Sequence, residues 1–266
     1  MKSFLFLTLC LGLVFSCSSD DNRNNNNNNT NNLTLPVKIF NLEEESYIQY
    51  NNLKISEINE NSGRKTIFQY EGDNITKVLT YDAKAQQDVI MVFTYNNGKI
   101  VSEMTTEIFN KGMINEKKNT YTLTYQWIDD NHVIRTGLLP SMPTSEIVDF
   151  YFSNGNLIKK IRTSNNGSFS YKYEYNYSYD NKYNPLKNIT GMTFLLNNDY
   201  TMNNLIKKEE LYTSSNTIGI TSYVTTYSNE YNDSNYLTKQ VSKTTITENG
   251  TSTSLKEKVK TYSYNR

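Results

Sequence analysis

The chain has 266 residues, 36% of them hydrophobic, with 27 basic and 27 acidic groups, one histidine, and 22 tyrosines against 11 glycines and 4 prolines. This charge balance lacks the surplus of Lys and Arg that a nucleic-acid binder needs, so no nucleic acid is expected as a partner. The apolar share lies below the roughly 45–50% of ordinary globular chains, so amphipathic Tyr and Phe must do much of the burying.

Residues 1–16 follow the plan of an export signal: Lys2 as the positive end, the apolar run FLFLTLCLGLVF, then small Ser16 before Cys17. The run is too short to cross a bilayer, which takes about 20 residues. Val14, Ser16 and Cys17 resemble a bacterial lipobox, which implies that Cys17 is acylated and becomes the first residue of the mature chain. Cys10 sits inside the discarded apolar core, so Cys17 has no intramolecular disulfide partner. The pair Asp20-Asp21 is similar to the signal that sends Bacteroidota lipoproteins to the outer face of the outer membrane. Residues 17–36 then read as the lipidated cysteine and a disordered Asn-rich tether, with almost nothing to bury. A flexible coil of that length would hold a domain roughly 25 Å from the membrane. The remainder, 37–266, is expected to form a single repetitive β-domain.

That domain carries a hidden repeat: an aromatic residue followed five positions later by an aliphatic one, with Asn, Gly or Asp between. Its members are Tyr50/Ile55, Tyr70/Ile75, Tyr95/Ile100, Phe152/Leu157 and Tyr200/Leu205, with looser ones at Tyr125, Tyr179, Tyr231 and Tyr264. A step of about 27 residues accommodates two strands, and the Asn/Gly stretches supply the positive φ that tight hairpin turns need. The clearest strand is YKYEYNYSY, where Tyr171, Tyr173, Tyr175, Tyr177 and Tyr179 share one face and Lys172, Glu174, Asn176 and Ser178 the other. The expected fold is all-β: roughly 14 to 18 antiparallel strands in sequential hairpins, making a large up-and-down sheet or a soluble barrel.

Segments such as YNNGKIVSEM and FSNGNLIKKI resemble the YD-type repeats of bacterial surface proteins. They also resemble a family of Bacteroidota lipoproteins of unknown function whose domain is porin-like in fold. The resemblance implies a curled or closed antiparallel β-domain and no particular activity. A membrane-spanning barrel is not expected, because it needs a lipid-facing apolar band on every strand, whereas these strands alternate Tyr with Lys, Glu, Asn, Ser and Thr. The chain also ends YSYNR, without a terminal aromatic residue.

Catalytic signatures are sparse. His132, in the run DDNH, lies beside two carboxylates, but three or four converging ligands make a metal site, and a polar run after TYQW reads as a turn. No metal or cofactor is expected. The acid clusters Glu43 to Glu45 and Glu209-Glu210 read as solvated charge, and no nucleophile or phosphate-loop motif is present. The leading expectation is a surface-anchored noncatalytic lipoprotein, attached to the outer membrane by acyl chains and facing the cell exterior. It would bind a glycan, peptide or protein, or act as a spacer. The alternative is a surface polysaccharide hydrolase using a carboxylate pair. For binding, Trp127, Tyr171, Tyr173, Tyr175 and Tyr177 are the candidate ligand-stacking aromatics; the plainer account of the tyrosines is that they are the inward face of the sheet.

Overall fold

A computed structural model describes residues 33–42, 44–138, 145–165, 170–192, 195–196, 201–215 and 220–265. The export segment, Cys17, Asp20, Asp21 and the tether up to residue 32 lie outside them, as do Glu43 and Tyr200.

Runs rich in Thr, Ile, Val and Tyr form strands because branched and aromatic side chains pack well on a pleated surface. In chain order these are β1 (Pro36–Asn41), β2 (Glu44–Asn51), β3 (Lys54–Glu60), β4 (Lys65–Glu71), β5 (Asn74–Tyr81) and β6 (Gln87–Asn96). β7 (Lys99–Phe109), β8 (Lys117–Trp127), β9 (His132–Leu138), β10 (Ser145–Ser153), β11 (Asn156–Asn165) and β12 (Ser170–Tyr183) follow. The last five are β13 (Asn203–Ser214), β14 (Thr221–Tyr231), β15 (Leu237–Glu248), β16 (Thr251–Ser254) and β17 (Lys258–Tyr264). Each strand pairs antiparallel with its successor up to β15, which takes both β16 and β17 as partners, and β17 pairs with β1. The sheet therefore closes: 16 strands make the barrel, and β16 stands off it as an extra hairpin arm.

The repeat is the seam of the hairpins. Tyr50 pairs directly with Ile55, Tyr70 with Ile75, Tyr95 with Ile100 and Phe152 with Leu157, each beside a one-residue slip in register. Such a bulge opposes two residues to one, which turns the aliphatic residue inward together with its aromatic partner. Ile55, Ile75, Ile100 and Leu157 are consequently all but inaccessible. The turns fit their sequences: Asn97-Gly98 and Asn154-Gly155 both hold positive φ at both central positions, as a two-residue type I′ turn requires.

Two members of the repeat differ from the expectation. Leu205 pairs with Tyr179 of β12, and its expected partner Tyr200 lies outside the described residues. In the β8–β9 hairpin the aromatic at the seam is Trp127, opposite fully buried Val133, while Tyr125 pairs with Arg135 further up.

Four aromatics at the seam also reach back to the preceding hairpin. Tyr95 donates its hydroxyl to the Ile75 carbonyl at 2.8 Å, Trp127 its Nε1–H to Ile100 at 2.9 Å and Tyr179 its hydroxyl to Leu157 at 2.5 Å; Tyr264 donates likewise to Leu237. The ring thus ties its own hairpin to the bulged stretch of the one before it. Burial pushes the Tyr70 and Tyr95 hydroxyls up to about 12, and pushes those of Tyr50 and Tyr264 up as well.

A barrel of 16 strands is wide enough to leave a channel unless something fills it. Here the described residues of the connection between β12 and β13, 184–192, 195–196 and 201–202, lie across the seam end. Ile189, Met192, Leu195 and Leu196 are buried there against Ile55, Ile75, Ile100 and Leu157. Thr190 N–H donates to the Leu53 carbonyl at 2.9 Å, and Gly191 lies so close to the β4–β5 turn that a Cβ would stand 2.8 Å from the Asp73 carbonyl oxygen. The N-terminal residues join at this same plugged end: Asn188 Nδ2 donates to the Thr34 carbonyl, and Tyr50 to that of Pro36.

At the opposite rim, the described loops are tied to their neighbours by ion pairs. Lys111 reaches Asp82 and Asp88, and Arg64 reaches Glu60 and Asp88.

Candidate functional site: a charged cavity in the lumen

Strand alternation alone fixes which side chains enter the lumen. On β8, Leu123 and Tyr125 are buried while Thr120, Thr122, Thr124 and Gln126 are exposed. Carrying that parity through the register of adjacent strands places Glu103, Arg135, Glu146, Lys160, Arg162, Tyr173, Tyr175, Lys208 and Glu210 inside. The same register sends Lys172 and Glu174 outward, where Lys159 and Lys172 both pair with Glu174, and Lys207 outward with Glu209. Glu210 therefore departs from the solvated-charge expectation: it faces the lumen and pairs with Lys208 at 3.4 Å. Glu209, its neighbour in sequence, is exposed on the opposite face.

Inside, a cavity of about 300 Å³ lies between the β7–β12 wall and Leu196 of the plug. At its centre is Glu146, whose side chain is only 3% exposed. One carboxylate oxygen accepts from Arg135 Nη2 at 2.9 Å; the other accepts from Arg162 Nε and from the Tyr171 hydroxyl at 3.3 Å. Loss of water works to lower the Arg162 pKa, and Glu146 more than offsets it, so the guanidinium is held charged. Glu103 is comparably buried and accepts from the Thr105 and Tyr125 hydroxyls at 3.2 and 2.9 Å. Burial first, and the Glu103 charge next, push the Tyr125 hydroxyl up. Arg135 lies across the Phe150 ring, 5.7 Å from its centroid, so its guanidinium rests on an apolar shelf.

The tyrosines of β12 form one inward ladder: Tyr173 stacks with Tyr175 and Tyr175 with Tyr177 at 6.1 and 6.3 Å between centroids. Lys160 and Lys208, from the strands flanking β12, stand 4.8 and 4.9 Å from the Tyr175 centroid. Stacked between Tyr173 and Tyr177 and crowded by two cations, that ring offers little open face to the lumen. Tyr171 and Tyr173 join the charged cluster through Arg162, which lies 5.8 Å from each ring. Trp127 is not part of this constellation. It sits at the seam, stacked on Phe152 with Lys99 4.8 Å above its ring. His132 opens β9 on the outer face, 2.9 Å from Asp149 and stacked on Tyr151, and Asp129-Asp130 form the turn before it. Among the described residues no group of three or more His, Cys, Asp or Glu side chains converges as metal ligands would.

The charged residues of the cavity were missed by sequence reasoning, although one signal was present. In SEIVDFYF, Glu146 shares the parity of Val148, Phe150 and Phe152; in HVIRTGL, Arg135 shares that of Val133. A charge on the apolar parity of a strand marks a residue aimed into the barrel.

No family model matches the chain, and no curated protein matches its sequence. Among solved structures it is similar to a porin-like protein from Bacteroides uniformis, with a TM-score of 0.51, 12% identity, and coverage of 86% of this chain and 96% of that one. At that identity the likeness is one of fold: a closed, up-and-down antiparallel β-barrel.

Proposed function

We propose that this chain is a noncatalytic lipoprotein, anchored through Cys17 to the outer membrane and facing the cell exterior, whose barrel is a receptacle with its mouth away from the anchor. One observation carries the reading. The N-terminal residues Thr34 and Pro36 are bonded into the plugged end, so a tether preceding them would hold that end toward the membrane and leave the opposite rim facing out. The outer wall supports suspension in water over insertion in lipid: Glu57 with Lys65, Glu174 with Lys159, and Glu209 with Lys207 stand on the outer face of strands that a membrane barrel keeps apolar there.

Glu103 and Glu146 do face one cavity, as a glycosidase pair would. Both oxygens of each already accept hydrogen bonds, and Glu146 is held by two guanidinium groups. That favours binding over acid–base work. Radiolabelled fatty acid should be incorporated by the parent and not by Cys17→Ser, and replacing Asp20 and Asp21 should lower proteolysis of the protein on intact cells. Labelling of Cys17→Ser would end the anchor reading. On a glycan and peptide array, hits should weaken on Tyr173→Phe; an array without hits would leave the spacer role.

A further inference from the structure

The lumen's cations are more exposed than the carboxylates they pair with, and that difference points to a class of ligand. Glu146 is 3% exposed, whereas its partners Arg135 and Arg162 are 16% and 30% exposed, and Lys208 is more exposed than Glu210. The carboxylates are hidden behind the cations, so the surface that meets the lumen from β9 to β13 is positive. Arg135, Lys160, Arg162 and Lys208 outnumber Glu146 and Glu210 on that wall. Around these cations stand the Tyr121, Tyr173 and Tyr212 rings, of which Tyr173 and Tyr212 lie 4.6 Å apart.

We propose that the lumen binds a carboxylate-bearing saccharide, a uronic-acid type of sugar. The acid group would meet Lys160, Arg162 and Lys208, and the ring hydroxyls would exchange hydrogen bonds with the tyrosine hydroxyls and Glu210. Tyrosine hydroxyls both donate and accept, as does a sugar hydroxyl, which suits a polyol better than an aromatic acid. A flat aromatic ligand would need an open ring face to stack on, and Tyr175 already stacks with Tyr173 and Tyr177 and has Lys160 and Lys208 close to its ring. The cavity is at the small end of ligand-site volumes, which suits about one or two sugar rings. Desolvated charge recognition gives strong discrimination: a site built to pair a ligand group rejects an analogue lacking it, because its own buried groups are then left unpaired.

This inference rests on the receptacle reading, and the test separates the two. Calorimetric titration of the full chain with digalacturonate should show binding that weakens at least about tenfold in the Lys160→Met/Lys208→Met variant and again as salt rises, while neutral galactobiose binds at least about tenfold more weakly. Unchanged melting temperature of the variant shows that it is folded, and Tyr173→Phe provides an independent variant that keeps every charge. Equal binding of digalacturonate and galactobiose, weakened by Tyr173→Phe alone, would overturn the acidic class and leave the receptacle standing. Binding of neither sugar, with array hits elsewhere, would also overturn it; binding of neither with no array hit would overturn both.

Discussion

The Glu146 cluster makes a quantitative prediction about the barrel's stability. Glu146→Gln keeps the size and a hydrogen-bonding oxygen but removes the charge facing Arg135 at 2.9 Å and Arg162. Breaking a buried ion pair from one side costs about 3–5 kcal/mol, because the partner charge is left buried and uncompensated. Here the stranded guanidinium groups are 16% and 30% exposed and recover part of their hydration, which puts the cost near the lower end, about 3 kcal/mol. With a urea dependence of about 3 kcal/mol per molar for a domain this large, the equilibrium midpoint should fall by about 1 M. Replacing Arg162 alone by Met leaves Glu146 its Arg135 partner and should cost about 1.5–3 kcal/mol, the range for one hydrogen bond to a charged group. Replacing all three by apolar residues of similar volume should be close to neutral, since the desolvation penalty disappears with the charges. A Glu146→Gln unfolding free energy that differs from the parent's by less than about 0.5 kcal/mol would refute the reasoning, placing the cluster among surface-type pairs.

Other predictions follow from the seam and the plug. Tyr95→Phe deletes the hydroxyl that satisfies the Ile75 carbonyl and should cost about 1–2 kcal/mol in urea unfolding, with a smaller effect for Tyr47→Phe, which loses only an exposed bond to Glu45. Gly191→Ala forces a side chain onto a residue at φ +82° and sets its Cβ 2.8 Å from the Asp73 carbonyl oxygen, so it should lower stability by about 2 kcal/mol or more. Because the fold raises the Tyr70 and Tyr95 pKa values to about 12, the unfolded chain releases these protons first. Their contribution is intact below about pH 10 and is lost as pH rises toward 12, so the melting temperature should fall across that window with tyrosinate absorbance appearing late.

The hairpins were legible because they are local. YNNGKI and FSNGNL carry their turn residues and paired aromatic and aliphatic groups within six positions, and the structure pairs those groups as spaced. Closure was not legible: β1 meets β17 across more than two hundred residues, and no short-range pattern distinguishes an open sheet from a barrel whose ends meet. The plug left a trace in NPLKNITGM, where a connection longer than about 12–15 residues interrupts otherwise short hairpins, yet nothing in it reveals that it folds back into the lumen. The inward face of YKYEYNYSY was read directly from its alternation. The charged cavity facing it depends on carrying that parity across β11 and β13, where Lys160, Arg162, Lys208 and Glu210 look like ordinary solvated charges until register is known.

The proposed arrangement is a barrel suspended in water at the cell surface with its plugged end toward the anchor. It is tested most directly by cysteine labelling on intact cells with a membrane-impermeant maleimide. Thr122 is exposed at the middle of β8 on the outer wall, and Asn115 is exposed in the rim loop before it. Thr122→Cys and Asn115→Cys should label at comparable rates. Labelling at Asn115 with protection at Thr122 would mean that lipid covers the wall, and would contradict the account.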